Sequence, residues 1–311
     1  MKSNHQPELI AVVGPTACGK TYRAVQIAKA FDGEIISGDS RQIYRGMDIG
    51  TGKDLDEYGD VRYHLIDIAD AGDKYNLHRY LQDFNKAKED ILKRGKLPIL
   101  CGGTGMYVEA ALSGLIMPEV ERNEELRKSL SGKSLEELTQ ILASYKNLHN
   151  TTDVDTRDRA LRAIEIQQYY SEHPDEAAKT DRSSAHPVNS VVIGLEIPRD
   201  DRRKRISKRL DSRLEEGMID EIKMLIDSGV NPDDLIYYGL EYKFVTLHVL
   251  GQLSFSEMKR QLEIAIHQFA KRQMTWFRGM ERRGIPIVWI PYDLNDDDFI
   301  ASVGELLNFN P

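Results

Sequence analysis

Gly14-Pro15-Thr16-Ala17-Cys18-Gly19-Lys20-Thr21 fits the phosphate-loop pattern Gly-x-x-x-x-Gly-Lys-[Ser/Thr] at every fixed position. The apolar run Leu9–Val13 precedes it and has the composition of a strand buried on both faces. From Tyr22 to Phe31, the residues Val25, Ile27, Ala28 and Phe31 fall on a helical spacing. Strand, glycine loop and helix in that order predict inward-pointing backbone N–H groups and a positive helix N-terminus, which together cradle phosphate. There Lys20 would neutralise phosphate oxygens and the Thr21 hydroxyl would ligate Mg²⁺. The plainer reading, a glycine turn ahead of a helix, is set aside because the strand and helix context is also present. The chain is expected to bind a phosphorylated ligand.

The 311 residues suffice for one large domain or two smaller ones. No apolar run approaches the roughly 20 residues of a membrane helix. The first ten residues, MKSNHQPELI, show no apolar signal region. A cytoplasmic chain with no membrane partner is therefore expected. Cys18 and Cys101 are the only cysteines, so neither a disulfide framework nor a cysteine zinc site is expected. The net charge of −8 by itself argues against nucleic acid, yet the cations are clustered. Arg199 to Arg213 holds eight Lys/Arg against three Asp, and Lys271 to Arg283 holds five against one Glu. Local stripes decide phosphate contacts more than the whole-chain balance does.

Beyond the first helix, Glu34–Gly38 reads as a short strand delivering Asp39-Ser40-Arg41-Gln42 to the carboxyl end of a sheet, where ligands bind in open α/β folds. A glycine-rich connection, Ile43 to Lys53, follows. His64–Asp67 reads as a third strand and Tyr75–Leu92 as an amphipathic helix. Lys96–Cys101 is the next strand, running into Gly102-Gly103-Thr104-Gly105 and a helix from Met106 to Leu112. The alternation predicts an α/β fold, a P-loop doubly wound parallel sheet. From Glu119 to about His186 the sequence is charged and helical with no strand-like run. An all-helical insertion domain, 119–186, is expected within a catalytic core of 1–118 and 187–311. Ser134–Glu137 looks like a capped helix start, Asp155–Tyr170 reads as a helix, and Ser171–Val188 reads as a loop. The core resumes with a strand, Val191–Ile197, and one long basic helix, Arg202–Ser228, interrupted only by Gly217. A helix from Ser256 to about Arg282 and a last strand, Ile287–Ile290, complete it.

Four segments now read together: Asp39 to Thr51 (DSRQIYRGMDIGT), Gly102-Gly103-Thr104, Asp158-Arg159-Ala160-Leu161-Arg162, and Lys271-Arg272-Gln273-Met274-Thr275-Trp276-Phe277-Arg278. With the phosphate loop, their order and spacing resemble the tRNA dimethylallyltransferases, the IPP transferase family, over residues 9 to 290. The resemblance implies dimethylallyl diphosphate as donor, N6 of the adenosine 3′ of the anticodon as acceptor, and diphosphate as leaving group. That exocyclic amine is a poor nucleophile, and Asp39 matches the family's general base. Gly14, Pro15, Thr16, Ala17, Cys18, Gly19, Lys20 and Thr21 would hold the diphosphate. Thr16, Arg209 and Mg²⁺ on Thr21 would stabilise its developing charge. Contacts to the tRNA anticodon stem-loop would come from Asp39, Ser40, Arg41, Gln42, Thr104, Asp158, Arg159 and Arg162. Further contacts would come from Tyr242, Lys243, Lys271, Arg272, Gln273, Thr275, Trp276 and Arg278. The target base would be extruded from its stack. The resemblance also suggests a monomer.

Each position has a plainer reading. Asp39 could hold Mg²⁺ or cap a turn, and Arg159 and Arg162 could pair with Asp155, Asp158 or Glu165. Trp276 could belong to the core, and Arg202–Arg213 could be a solvated face. Three departures from the family stand out. Cys18 replaces a usual serine, Asp54 a usual proline, and Glu241-Tyr242-Lys243 a usual Gly-Tyr-Arg. Lysine lacks arginine's bidentate geometry, and Glu241 adds a negative charge near RNA. Cys18, at a helix start beside Lys20, could be a reactive thiol or simply a small residue. An adenylate prenyltransferase acting on free AMP would need neither the insertion nor the basic stripes. A small-molecule kinase would leave Lys271–Arg278 unexplained, and a non-catalytic RNA-binding protein would not need Lys20, Thr21 and Asp39 intact.

Overall fold

Five consecutive apolar residues, Leu9–Val13, form β1, and none of them touches solvent. In the computed structural model, which describes residues 7–148, 152–180 and 186–308, β1 lies inside a parallel sheet. The described residues give that sheet six strands. The others are β2 (Gly33–Ser37), β3 (Tyr63–His64), β4 (Leu97–Gly102), β5 (Ser190–Glu196) and β6 (Val288–Pro291). Their order is β3-β2-β4-β1-β5-β6, with Val12 in register with Cys101 on one side and Ile193 on the other. β4 thus separates β1 from β2, but all three are parallel, so the phosphate loop and Asp39 leave the same edge of the sheet. The two strand ends pack tightly there. A Cβ on Gly102 would lie 2.4 Å from the Gly38 backbone, so only glycine fits.

In chain order the helices are α1 (Lys20–Ala30), α2 (Leu77–Lys93), α3 (Gly105–Leu112), α4 (Glu124–Ser129), α5 (Leu135–Tyr145), α6 (Arg157–Glu172) and α7 (Pro174–Lys179). After β5 come α8 (Arg199–Glu215), α9 (Met218–Asp227), α10 (Pro232–Tyr238), α11 (Leu240–Val249), α12 (Phe255–Arg282) and α13 (Asp296–Asn308). The chain forms two compact units. Met1–Leu112 with Val188–Pro311 carries the sheet, and Ser113–Pro187 is the other. In the second unit, Leu138 and Leu142 of α5 pack on Ala160, Leu161 and Ile164 of α6. Ser134 and Glu137 form the capping box that their spacing predicts.

The single basic helix expected over Arg202–Ser228 is two helices. Gly217 takes a left-handed φ of +101° and divides α8 from α9. The third strand is shorter than expected because Leu65 and Asp67 have positive φ, which ends the extended run at His64. Within the stretch expected to be a loop, Pro174 starts α7, while 181–185 lies outside the described residues. α13 is an addition. The Asn295 side chain caps it by accepting from the Asp298 N–H, and buried Phe299 and Val303 join the core beside α1. Arg23 of α1, itself buried, secures it by pairing with Asp296 and lying 4.4 Å from the centre of the Phe299 ring.

At the far edge of the sheet, Glu34 on β2 gathers His64 of β3 and Arg94 beyond α2, each at 2.7 Å. Burial disfavours the Glu34 charge, but Arg94 and His64 outweigh it and hold its pKa below the ordinary 4.5. A depressed carboxylate pKa adds stability above its unfolded value and loses it as pH falls through the folded one. Glu34→Gln should therefore lower the melting temperature by about 2–4 °C at neutral pH. In melts run across pH, that difference should close below pH 4.5.

Candidate active site

The phosphate loop is held from two directions. Gln273, buried in the middle of α12, accepts the Thr16 N–H through Oε1 at 2.8 Å and donates through Nε2 to the Gly103 carbonyl at 2.9 Å. The amide fits only this way round, since swapping its ends would set oxygen against oxygen and nitrogen against N–H. Arg205 of α8 donates to the Ala17 carbonyl at 2.7 Å. Ala17 itself sits at φ +63°, a strained conformation for alanine that the surrounding clamps maintain. Lys20 donates to the Pro15 carbonyl at 2.9 Å. Cys18 is buried among the core residues under the loop, so the structure favours its role as a small packing residue over a reactive thiol. Burial pushes the Cys101 thiol up to about 12.

The β2 end forms the facing wall. Asp39 Oδ1 accepts the Arg41 N–H at 2.9 Å, an Asx turn, while Oδ2 makes no hydrogen bond among the described residues. Thr104 ties this turn to the β4 end, its hydroxyl accepting the Ser40 N–H at 3.0 Å. Gln42 accepts from the Ser37 hydroxyl and donates to the Gly52 carbonyl. The Ile43–Lys53 connection is anchored in the core. Fully buried Lys53 binds the Tyr44 carbonyl, Asp48 and Asp67. Glu221 of α9 accepts the N–H groups of Asp48, Ile49 and Gly50 and the Tyr242 hydroxyl.

Between these walls lies a cavity of about 570 Å³. One face of α8 and its C-cap close it, contributing Arg205, Lys208, Arg209, Ser212, Arg213 and Glu216 at a helical repeat. Arg209 makes no hydrogen bond or ion pair among the described residues, and it lies so close to Gly52 that a Cβ there would sit 1.7 Å from its Nη2. Arg213 is paired with Asp54 and Glu216. Six Lys/Arg and five Asp/Glu line the cavity, so it is charged on all sides and nearly balanced. Burial and then Asp54 raise the Glu57 pKa, against the pull of Arg209 and Arg213. A smaller pocket of about 20 Å³ adjoins at Thr16, Ala17 and Arg209, and its other walls include Ile49, Ile206, Leu210, Met218 and Ile266.

Apart from Ser40 and Thr104, which bond to each other in the turn, and Tyr242, the residues expected to touch RNA divide into three sets. Asp39, Arg41, Gln42 and Gln273 line the cavity. Lys243, Lys271, Arg272, Thr275, Trp276 and Arg278 are exposed at the surface of the same unit. Asp158, Arg159 and Arg162 lie in the second unit and are paired there, with Arg127, Asp155 and Glu165 respectively. Two of these residues are held by the protein itself. Tyr242 is fully buried with its hydroxyl on Glu221 at 2.6 Å, so its side chain has no face for RNA. Gln273 spends both ends of its amide on protein backbone, so it shapes the cavity. Gln273→Met should leave the Thr16 N–H and the Gly103 carbonyl unpaired, at about 1–3 kcal/mol each. A lower melting temperature and a kcat reduced by roughly tenfold or more are expected, because the loop loses its position.

Residues 42–280 match the IPP transferase family, and residues 7–66 match a second family, isopentenyl transferase. A tRNA dimethylallyltransferase 1 of Parabacteroides distasonis is 58% identical over 305 residues, covering 97% of this chain and 98% of the relative. The chain belongs to the IPP transferase family. A tRNA dimethylallyltransferase 2 of Porphyromonas gingivalis is 57% identical over 97% of this chain and 100% of its own length. Among solved structures, the tRNA isopentenylpyrophosphate transferase of Bacillus halodurans is similar with a TM-score of 0.70 at 32% identity. That match covers 96% of this chain and 95% of the other. A eukaryotic dimethylallyltransferase acting on tRNA has a TM-score of 0.76 over 96% of this chain and 77% of its own; at 22% identity the likeness is one of fold. In this IPP transferase family member, sequence reasoning passed over Arg205, Lys208 and Arg213. Their spacing with Arg209 was visible, but a cationic helix face reads equally well as solvated.

Proposed function

We propose that this chain transfers a dimethylallyl group from dimethylallyl diphosphate to N6 of the adenosine 3′ of the anticodon in tRNA, releasing diphosphate. The observation that carries the reading is the meeting of the phosphate loop, the Asp39 carboxylate and the α8 cations in one cavity. The diphosphate lies on the loop N–H groups, Lys20 and Thr16, with Arg209 reaching it from α8. Adenine enters from the β2 side, where Asp39 takes the N6 proton as the new C–N bond forms and the C–O bond to diphosphate breaks. Lys271, Arg272 and Arg278, exposed and without ion pairs among the described residues, supply phosphate contacts for the anticodon stem-loop.

Thr21 lines the cavity at the end of the phosphate loop and offers a hydroxyl oxygen, the ligand type that Mg²⁺ takes from a protein while it keeps substrate phosphates. Thr21 would hold the ion. Mg²⁺ when bound neutralises charge developing on the diphosphate. Action as a monomer in the cytoplasm, where a tRNA acceptor is met, belongs to the same proposal.

Labelled dimethylallyl diphosphate offered to total tRNA, with AMP as a competing acceptor, tests the reading. Label should enter tRNA and be undiminished by AMP. Label confined to AMP would convert the reading to a free-nucleotide enzyme, and ATP consumption with no label transfer would replace it with a kinase.

A further inference from the structure

We infer that Glu241 tunes RNA selectivity by pinning Arg41 against the cavity wall and withholding its charge from RNA phosphates. The inference rests on the RNA-acceptor reading above. Arg41 leaves the end of β2, and Glu241 lies in the first turn of α11 on another side of the cavity. Their side chains meet with Nη1 and Oε2 at 2.6 Å and are only 14% and 16% exposed. The Phe269 ring lies under the guanidinium, its centre 5.6 Å away. The positive end of α11 further favours the Glu241 carboxylate. Burial opposes the Arg41 charge, but Glu241 and Asp39 outweigh it and keep it protonated.

Two consequences follow for RNA. Arg41 presents a fixed planar face to the cavity, because Glu241 and the Phe269 ring hold its guanidinium and Asp39 accepts its backbone N–H. It contributes no free cation, in contrast to exposed Lys271, Arg272 and Arg278, which lack ion pairs among the described residues. A glycine at position 241 would have no side chain with which to hold an arginine. Glu241 therefore exchanges one non-specific phosphate contact for a rigid wall.

The test is tRNA binding by fluorescence anisotropy across a salt series. One RNA carries adenosine 3′ of the anticodon, and the other has uridine there. For Glu241→Gly, freed Arg41 should gain a phosphate, steepening the slope of log affinity against log salt by about 0.7–0.9. Discrimination between the two RNAs should narrow several-fold. The double variant Glu241→Gly/Arg41→Gln should return the slope to the wild-type value. Glu241→Gln, which keeps the size of the side chain, should steepen the slope by a smaller amount and serves if the glycine variant folds poorly. An unchanged slope in both single variants, or a steepened slope that persists in the double variant, would overturn the inference while leaving the RNA reading intact. Wild-type protein that binds neither RNA would overturn both.

Discussion

Asp39→Asn should lower kcat for prenyl transfer by roughly 10²–10⁴-fold, the usual contribution of a positioned general base. The substitution separates chemistry from architecture. Asparagine keeps the Oδ1 that accepts the Arg41 N–H, so the turn at the end of β2 persists. What it removes is the basicity of Oδ2, which no protein group engages among the described residues. Single-turnover transfer to unmodified tRNA measures the loss, and KM for both substrates should stay near the wild-type values. A large rise in KM with an unchanged kcat would instead make Asp39 a binding residue. A wild-type rate would remove it from the chemistry altogether.

Arg209→Ala should reduce kcat by roughly 10²–10³-fold, the scale of losing one preorganised donor to a developing charge. Its neighbour Arg213 cannot readily substitute, because Asp54 and Glu216 already hold it. Arg205 is committed to the Ala17 carbonyl. Arg209 and Lys208 are thus the cations of the α8 face left available, and of the two only the arginine can grip two leaving-group oxygens at once. Arg209→Lys should recover only part of the rate, since a lysine cannot grip two oxygens at once. Product inhibition by added diphosphate should weaken in parallel in the alanine variant. Inhibition that stays as strong as in the wild type would place the diphosphate elsewhere in the cavity.

Much of this arrangement could be read in the residues, because its signals are local. The β1–loop–α1 unit is contiguous, and each part announces its neighbour: an apolar run, a glycine loop with Lys20 and Thr21, then a helical repeat. The arrival of Asp39 at the same sheet edge follows from parallel strands, even though β4 intervenes between β1 and β2. What escaped are features made by distant pairs. Gln273 clamps Thr16 across 257 residues of chain, and from its place among cations it reads as an RNA contact. Tyr242 sits beside Lys243 in a segment associated with tRNA, but only the packing of α11 on α9 shows that its hydroxyl belongs to Glu221. Glu241 looked like a stray negative charge until its partner Arg41, 200 residues away, was in place. The Gly217 break is a local signal, and a left-handed glycine between α8 and α9 is what it stood for.

Product analysis tests the central claim most directly. Purified enzyme would be incubated with dimethylallyl diphosphate and a single unmodified tRNA carrying adenosine 3′ of its anticodon. The RNA would then be digested and its nucleosides identified by mass spectrometry. The account predicts one adenosine heavier by a single isoprene unit at N6, at that position alone, with diphosphate released in equal amount. Unmodified adenosine after complete consumption of the donor, or a prenyl group on any other base or position, would contradict it.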